Sequence, residues 1–223
     1  MIDTVHVIGS GRVGSAIDAR LRERGVAIGD DDPDGVLLCV PDEAIADVAR
    51  RLDSGRAWVG HVSGATPLAA LEPHEVRFSL HPLQTFREPS GDPAQLALQL
   101  DGAWAAITAQ TDPALAVAYE LAELLGVHPF ELADEDRTLY HAGAVFASNY
   151  LVTLQRAAAR LGVPAEGLVP LMMRTIENGF ELTGPISRGD WGTVGAHLAE
   201  LHERLPQLEH LYETLATATV TLT

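Results

Sequence analysis

Val5-His6-Val7-Ile8-Gly9-Ser10-Gly11-Arg12-Val13-Gly14 is the stretch whose reading decides the fold of this chain. A short apolar run passes directly into glycines spaced G-x-G-x-x-G, and Val13, Ile17 and Leu21 then recur at helical spacing. The pattern is a strand, a tight turn and the start of a helix. At such a junction the first glycine permits the turn and the second lets backbone approach a pyrophosphate. The third lets the helix pack closely on the strand, with free helix N–H groups facing the anion. Gly9, Ser10, Gly11, Arg12, Val13 and Gly14 are therefore candidate cofactor-binding residues. A glycine turn that only packs the fold is the other reading of the same spacing.

Beyond this helix, strand-like runs at Val26–Ile28, Val36–Val40, Ala57–Val62, Val76–Leu80, Trp104–Thr108 and Val127–Leu132 are interleaved with helical patterns at Asp42–Leu52 and Asp112–Leu125. Such alternation predicts a mostly parallel sheet covered on both faces. From about Asp134 the period changes. Leu139, Ala142, Phe146, Tyr150, Leu154, Ala157 and Leu161 step by three or four, which predicts one long, largely buried helix. Further helices are expected at about Glu166–Phe180, Asp190–Arg204 and Gln207–Ala218. The expected organisation is an α/β domain over 1–133 followed by an all-helical domain over 134–223. Arg87-Glu88-Pro89-Ser90-Gly91-Asp92 is the expected mobile loop.

Composition narrows the partners. A net charge of −16 over 223 residues argues against a nucleic-acid partner, since the basic residues are scattered. All fifteen are arginine. Without lysine there is no Schiff-base or lysine general-acid chemistry, and any cationic contact to substrate comes from Arg or His. Cys39 lies inside an apolar run and is read as a buried structural thiol. No apolar stretch is long enough to span a bilayer and no signal peptide is seen, so a cytoplasmic protein without a membrane partner is expected. His197 and His202 are five residues apart on a helix, a spacing that gives no metal site.

In a dinucleotide fold the acid that holds the adenosine ribose follows the glycines by about twenty residues. Asp30, Asp31 and Asp32 stand there and favour NAD over NADP, although three acids also suit a solvated turn. Only Pro33, Asp34 and Gly35 separate them from the next strand, so the helix and strand that usually complete the first nucleotide-binding half are missing.

Three further segments follow predicted strands: Val40-Pro41-Asp42, His61-Val62-Ser63-Gly64-Ala65 and Ser79-Leu80-His81-Pro82-Leu83-Gln84-Thr85-Phe86. Ligands bind outside the carboxyl ends of strands in open α/β sheets, which places Val40, Pro41, Asp42, Ser63 and His81 at the same crevice as the glycine turn. An imidazole there can exchange a proton with a bound hydroxyl, and a serine can orient it. Equally, Ser63 can close a turn and His81 can cap backbone ahead of Pro82. On the long helix, Arg137, His141, Ala144, Ser148 and Gln155 form a polar stripe that needs partners. It either faces the cleft between the domains or satisfies backbone groups and a second subunit. Downstream, Asp190 reads as the N-cap of the helix beginning at Trp191.

Together with Tyr140-His141-Ala142-Gly143-Ala144-Val145-Phe146-Ala147-Ser148-Asn149-Tyr150 and Thr183-Gly184-Pro185-Ile186-Ser187-Arg188-Gly189-Asp190, these segments resemble a bacterial family of Rossmann-like proteins. Its helical second domain is of unknown function. The family is similar to the 6-phosphogluconate dehydrogenase-like superfamily, which includes pyrroline-5-carboxylate reductase and prephenate dehydrogenase. The resemblance implies an N-terminal Rossmann-type sheet, an all-helical C-terminal domain and a homodimer through the helices, and the truncated first half after Asp30 is a departure from it. It makes Ser63 and His81 the counterparts of a serine and a histidine near substrate. Asn149 matches the asparagine that follows a lysine by four residues in the hydroxyacid dehydrogenases, but Val145 stands in the lysine's place.

The expectation is a nicotinamide-dependent oxidoreductase of a small carbonyl, imine or hydroxy compound, bound in the interdomain cleft, with His81, Ser63, His141 and Asn149 at the chemistry. NAD is the favoured cofactor over NADP. The alternative is a non-catalytic ligand-binding or scaffold protein derived from such an enzyme, and an enzyme without redox function is a third reading.

Overall fold

The structure, a computed structural model, describes residues 1–53, 55–88 and 92–222. Of the expected mobile loop, residues 89–91 lie outside the described residues. The chain forms two compact units, Met1–Ser148 and Asn149–Thr223.

The first unit runs β1 (Thr4–Ile8), α1 (Arg12–Glu23), β2 (Ala27–Ile28), β3 (Gly35–Leu38), α2 (Asp42–Ala49), β4 (Val59–His61) and a 3-10 turn at Leu68–Leu71. It continues with β5 (Arg77–Leu83), α3 (Pro93–Ala97), β6 (Trp104–Ala109), α4 (Asp112–Leu125), β7 (His128–Glu131) and α5 (Arg137–Ala147). The strands make one sheet in the order β2-β1-β3-β4-β5-β6-β7. Neighbours are parallel throughout except β5 and β6. Leu37, Phe78, Leu80 and Ile107 join Ile17 and Leu21 of α1 and Leu121 and Leu125 of α4 in one core. Val36, Leu38 and Val59 join Ile45 and Ala49 of α2 and Leu71 in a second. Because the central strands are buried on both faces, they read as continuous apolar runs rather than alternating ones. α4 has the expected limits because both ends are signalled locally: the Thr111 hydroxyl accepts the Ala114 N–H at 3.3 Å, and Gly126 closes the helix at φ +73°.

The truncation is plain in the topology. β2 is two residues long, and only residues 29–34 carry the chain from it to β3 on the far side of β1. One Asp34 carboxylate oxygen anchors this link, accepting the N–H groups of Asp3 at 2.7 Å and Thr4 at 2.9 Å. Those two donors hold the carboxyl below its ordinary pKa.

Two local expectations change. β5 does not stop at Leu80 but runs to Leu83, paired antiparallel with β6 from Phe78 to Leu83, so His81 lies within a strand rather than beyond one. β4 pairs only as far as Ser79, which leaves the following residues of β5 an edge on that side, where a proline is tolerated. The single long helix is instead two, α5 and α6 (Asn149–Arg160), on either side of Ser148. The Ser148 hydroxyl donates to the Ala144 carbonyl at 2.7 Å, a back-bond that competes with helix geometry. Nor is the segment largely buried. Arg137 is the one buried residue of α5, and α6 has none. Apolar period records which face could be covered, not what covers it.

The second unit holds α6, α7 (Ala165–Glu177), α8 (Trp191–Arg204) and α9 (Pro206–Leu222), with a 3-10 turn at Ile186–Arg188. Asp190 caps α8 as its sequence suggests, accepting the Thr193 N–H at 3.1 Å and the Thr193 hydroxyl at 2.8 Å. Among the described residues no helix is long and apolar enough to cross a membrane.

Candidate functional site

The three glycines of the first turn have three different jobs. Gly9 sits at φ +118°, and a Cβ there would lie 2.3 Å from the Cys39 carbonyl oxygen. At Gly14 a Cβ would lie 2.0 Å from the Gly9 carbonyl oxygen. Around Gly11, by contrast, nothing lies within 4 Å of an added Cβ. Gly11 is also the N-cap of α1 and supplies no capping side chain, so the positive end of the helix opens on unfilled space. Ser10 contributes its carbonyl to the Ser15 hydroxyl at 3.0 Å, and Val13 packs on the core. Arg12 Nε donates to Glu88 at 2.8 Å. Cys39, beneath the turn, has its thiol pushed up to about 12 by burial, which keeps it protonated and inert.

Val40 and Pro41 follow β3; Val40 packs on the second core, and Pro41 is the N-cap of α2. Asp30 lies exposed in the turn after β2, where Asp32 adopts φ +47°.

The chain brings a second group of side chains together around Gly64. A Cβ on Gly64 would stand 2.9 Å from both Cε1 and Nε2 of His81 and 2.8 Å from Cδ2 of His141. The two imidazole rings meet edge to face with centroids 6.0 Å apart. His81 Nδ1 and the Tyr140 hydroxyl are hydrogen-bonded at 2.8 Å. Burial, then His141 and Arg137, push the His81 pKa down to about 4 against a weaker opposing pull from Asp42. His81 is therefore neutral at pH 7, although a free imidazole would titrate nearby. Burial also raises Tyr140 to about 12, so its phenol keeps its proton.

Ser63 is 7% exposed and its hydroxyl is committed to the turn. It accepts the N–H groups of Ala65 at 3.2 Å and Thr66 at 3.0 Å and lies 2.9 Å from the Thr66 hydroxyl. Behind the turn stands Arg137, 1% exposed. Its Nε donates to the Thr66 carbonyl and its Nη1 to the Thr108 hydroxyl, both at 2.8 Å. Its Nη2 donates to the Ser79 hydroxyl at 2.8 Å and to the Ser63 carbonyl. The first residue of the polar stripe is thus a clamp on backbone. His61 is fully buried, accepts the Ser63 N–H on Nδ1 at 3.2 Å, and has its pKa lowered to about 3, first by burial. Its Nε2 has no hydrogen-bond partner among the described residues.

Sequence reading missed Tyr140, His61 and the spacing role of Gly64. The adjacent Tyr140-His141 pair is the signal that was available. The fourth catalytic candidate, Asn149, opens α6 in the second unit. That unit carries an open pocket of about 650 Å³ lined in part by Thr183, Pro185 and Ile186, which gives this motif a location. Among the described residues no three His, Cys, Asp or Glu side chains group as a metal ion requires.

Comparison with solved structures shows a Rossmann-like fold followed by a helical region. A Bacteroides fragilis protein provisionally named an NADP oxidoreductase superposes with a TM-score of 0.77 at 21% identity, over 99% of this chain and 98% of that one. Protein TM1727 from Thermotoga maritima gives 0.72 at 24% identity, over 96% of each chain. Prephenate dehydrogenase from Aquifex aeolicus, solved with hydroxyphenyl propionate and NAD+, gives 0.57 at 17% identity, over 99% and 97%. The chain belongs to the family described as Domain of unknown function (DUF2520), whose profile matches residues 103–219, just over half of its length. No curated protein matches it.

Proposed function

We propose that this protein is a nicotinamide-dependent reductase or dehydrogenase of a small carbonyl, imine or hydroxy compound. The observation that carries the reading is the meeting of two groups at the carboxyl ends of adjoining strands. Gly9 packs on Cys39 and Val40, Asp42 two residues on acts electrostatically on His81, and His81 touches Gly64 and His141. The open space at Gly11 and the uncapped start of α1 are where residues 9–14 would hold a pyrophosphate. When bound, the nicotinamide would supply or remove the two electrons of the reaction. His81 hydrogen-bonds the reacting oxygen or nitrogen and exchanges its proton, His141 lines the same space, and Ser63 holds the turn that presents Gly64. Asn149 is proposed to orient substrate. Asp30 to Asp32 place negative charge where a ribose 2′-phosphate would be repelled, which favours NAD over NADP. A homodimer through the helical unit is part of the reading. Exposed Leu154, Leu171 and Met173 are more apolar than a lone helical surface requires.

The test is a screen of small oxo acids, imines and aldehydes with reduced NAD and NADP. Wild type is expected to turn over with NADH in preference to NADPH, and His81→Gln to bind cofactor normally while losing roughly 10²- to 10⁴-fold in turnover. A folded His81→Gln variant with wild-type turnover would remove His81 from the chemistry. Nucleotide binding without turnover of any substrate would favour a ligand-binding protein, the reading to which the two-residue β2 and Val145 in the lysine's place lend weight.

A further inference from the structure

We propose that Tyr140 is a positioning residue that fixes His81 as its Nε2–H tautomer, so that the site offers a hydrogen-bond donor to a carbonyl oxygen or imine nitrogen. The substrate class rests on the oxidoreductase reading; the tautomer does not. The Tyr140 hydroxyl and His81 Nδ1 lie 2.8 Å apart. Two neutral groups share one proton along this line, and either could donate. A phenol is a far stronger acid than a neutral imidazole N–H, so the hydrogen bond is better with the phenol donating. Nδ1 is also the only hydrogen-bond partner of this hydroxyl among the described residues. If Nδ1–H donated instead, the phenol proton would be left without a protein acceptor.

The phenol is held in place from two sides. Its ring meets Phe130 edge to face at 5.9 Å and His81 edge to face at 5.6 Å. Phe130 and His81 lie opposite the same residue of β6, Ala106, and so belong to one face of the sheet. With Nδ1 occupied, the neutral ring carries its proton on Nε2. That atom makes no protein hydrogen bond among the described residues and lies beside Gly64, where the missing side chain leaves it room. The charged and titratable groups acting on His81 are His141, Arg137 and Asp42. Neutral imidazole is the form this surrounding favours, since two of the three, together with burial, disfavour added positive charge.

A neutral Nε2–H donor polarises an acceptor atom as negative charge develops on it, which suits reduction of C=O or C=N. Long-range proton–nitrogen correlation spectra of the whole protein labelled with 15N-histidine read the tautomer directly, with His81→Gln assigning the signal. The expected result is Nε2–H in wild type at pH 7, and a mixture of tautomers in Tyr140→Phe. An Nδ1–H tautomer in wild type overturns the proposal, as does an unchanged Nε2–H ring in a folded Tyr140→Phe. An Nδ1–H ring in wild type overturns the proposal even if the variant fails to fold. An Nε2–H ring in a protein that turns over no carbonyl or imine would sink the oxidoreductase reading and leave the assignment of Tyr140 standing.

Discussion

The glycine turn at Gly9–Gly14 and the histidine cluster at Gly64 stand at the carboxyl ends of strands in one sheet, yet they are made by opposite means. The turn works through atoms that are absent: six consecutive residues in which a Cβ at Gly9 or Gly14 would collide with backbone and one at Gly11 would meet open space. The cluster works through side chains from β4, β5, α5 and the turn after β4, locked by the buried guanidinium of Arg137. A site built from backbone shape is written in contiguous sequence. One built from packed side chains is written in the fold.

The comparison breaks most readily at Arg137. Arg137→Met strands the carbonyls of Ser63 and Thr66 and the hydroxyls of Ser79 and Thr108 in the interior. It is expected to cost about 3–5 kcal/mol in urea unfolding, with Arg137→Lys recovering only part, because lysine lacks the planar fork. A loss under about 1 kcal/mol would mean that the clamp does not hold the turn. The glycines sharpen the other side. Gly9→Ala and Gly14→Ala should each lose about 2–3 kcal/mol, whereas Gly11→Ala should stay within about 1 kcal/mol of wild type. Equal losses at all three positions would contradict the division of labour.

Acid tests the cluster more gently. His61 and His81 have folded pKa values near 3 and 4, below the 6.5 of an exposed histidine, so between those limits the unfolded chain binds more protons. Their contribution to stability is complete above pH 6.5 and falls as pH drops toward 4, by roughly 1.4 kcal/mol per pH unit for each histidine. Urea midpoints measured from pH 7 to 4.5 should show that slope, and His61→Asn should roughly halve it, leaving the part that His81 contributes. A variant with the wild-type slope would show that His61 is not held neutral.

Much of the fold was legible because its signals are local. Strand runs, the Thr111 and Asp190 caps and Gly126 fix elements within a few residues of themselves. The sequence pattern ends β5 at Leu80 because its extension to Leu83 depends on β6, more than twenty residues later in the chain. The apolar period runs unbroken from Asp134 to Leu161, whereas the structure divides the helix at Ser148, whose back-bond to Ala144 competes with helix geometry. At the site, His81, Ser63 and His141 were found as residue types in telling places, and the fold does bring them together. Their environments were not legible. Nothing in the sequence says that His81 is neutral, that the Ser63 hydroxyl is spent on its own turn, or that Tyr140 reaches His81.

The central claim is that a nicotinamide dinucleotide binds at the glycine turn. Thermal unfolding of wild type and Gly11→Val with NAD, NADP and their reduced forms tests it most directly. At a hundredfold its dissociation constant a cofactor should stabilise wild type by about 2.7 kcal/mol, NAD forms more strongly than NADP forms, and the shift should vanish in Gly11→Val. Equal stabilisation of wild type and variant, or none of wild type by any of the four, would contradict it.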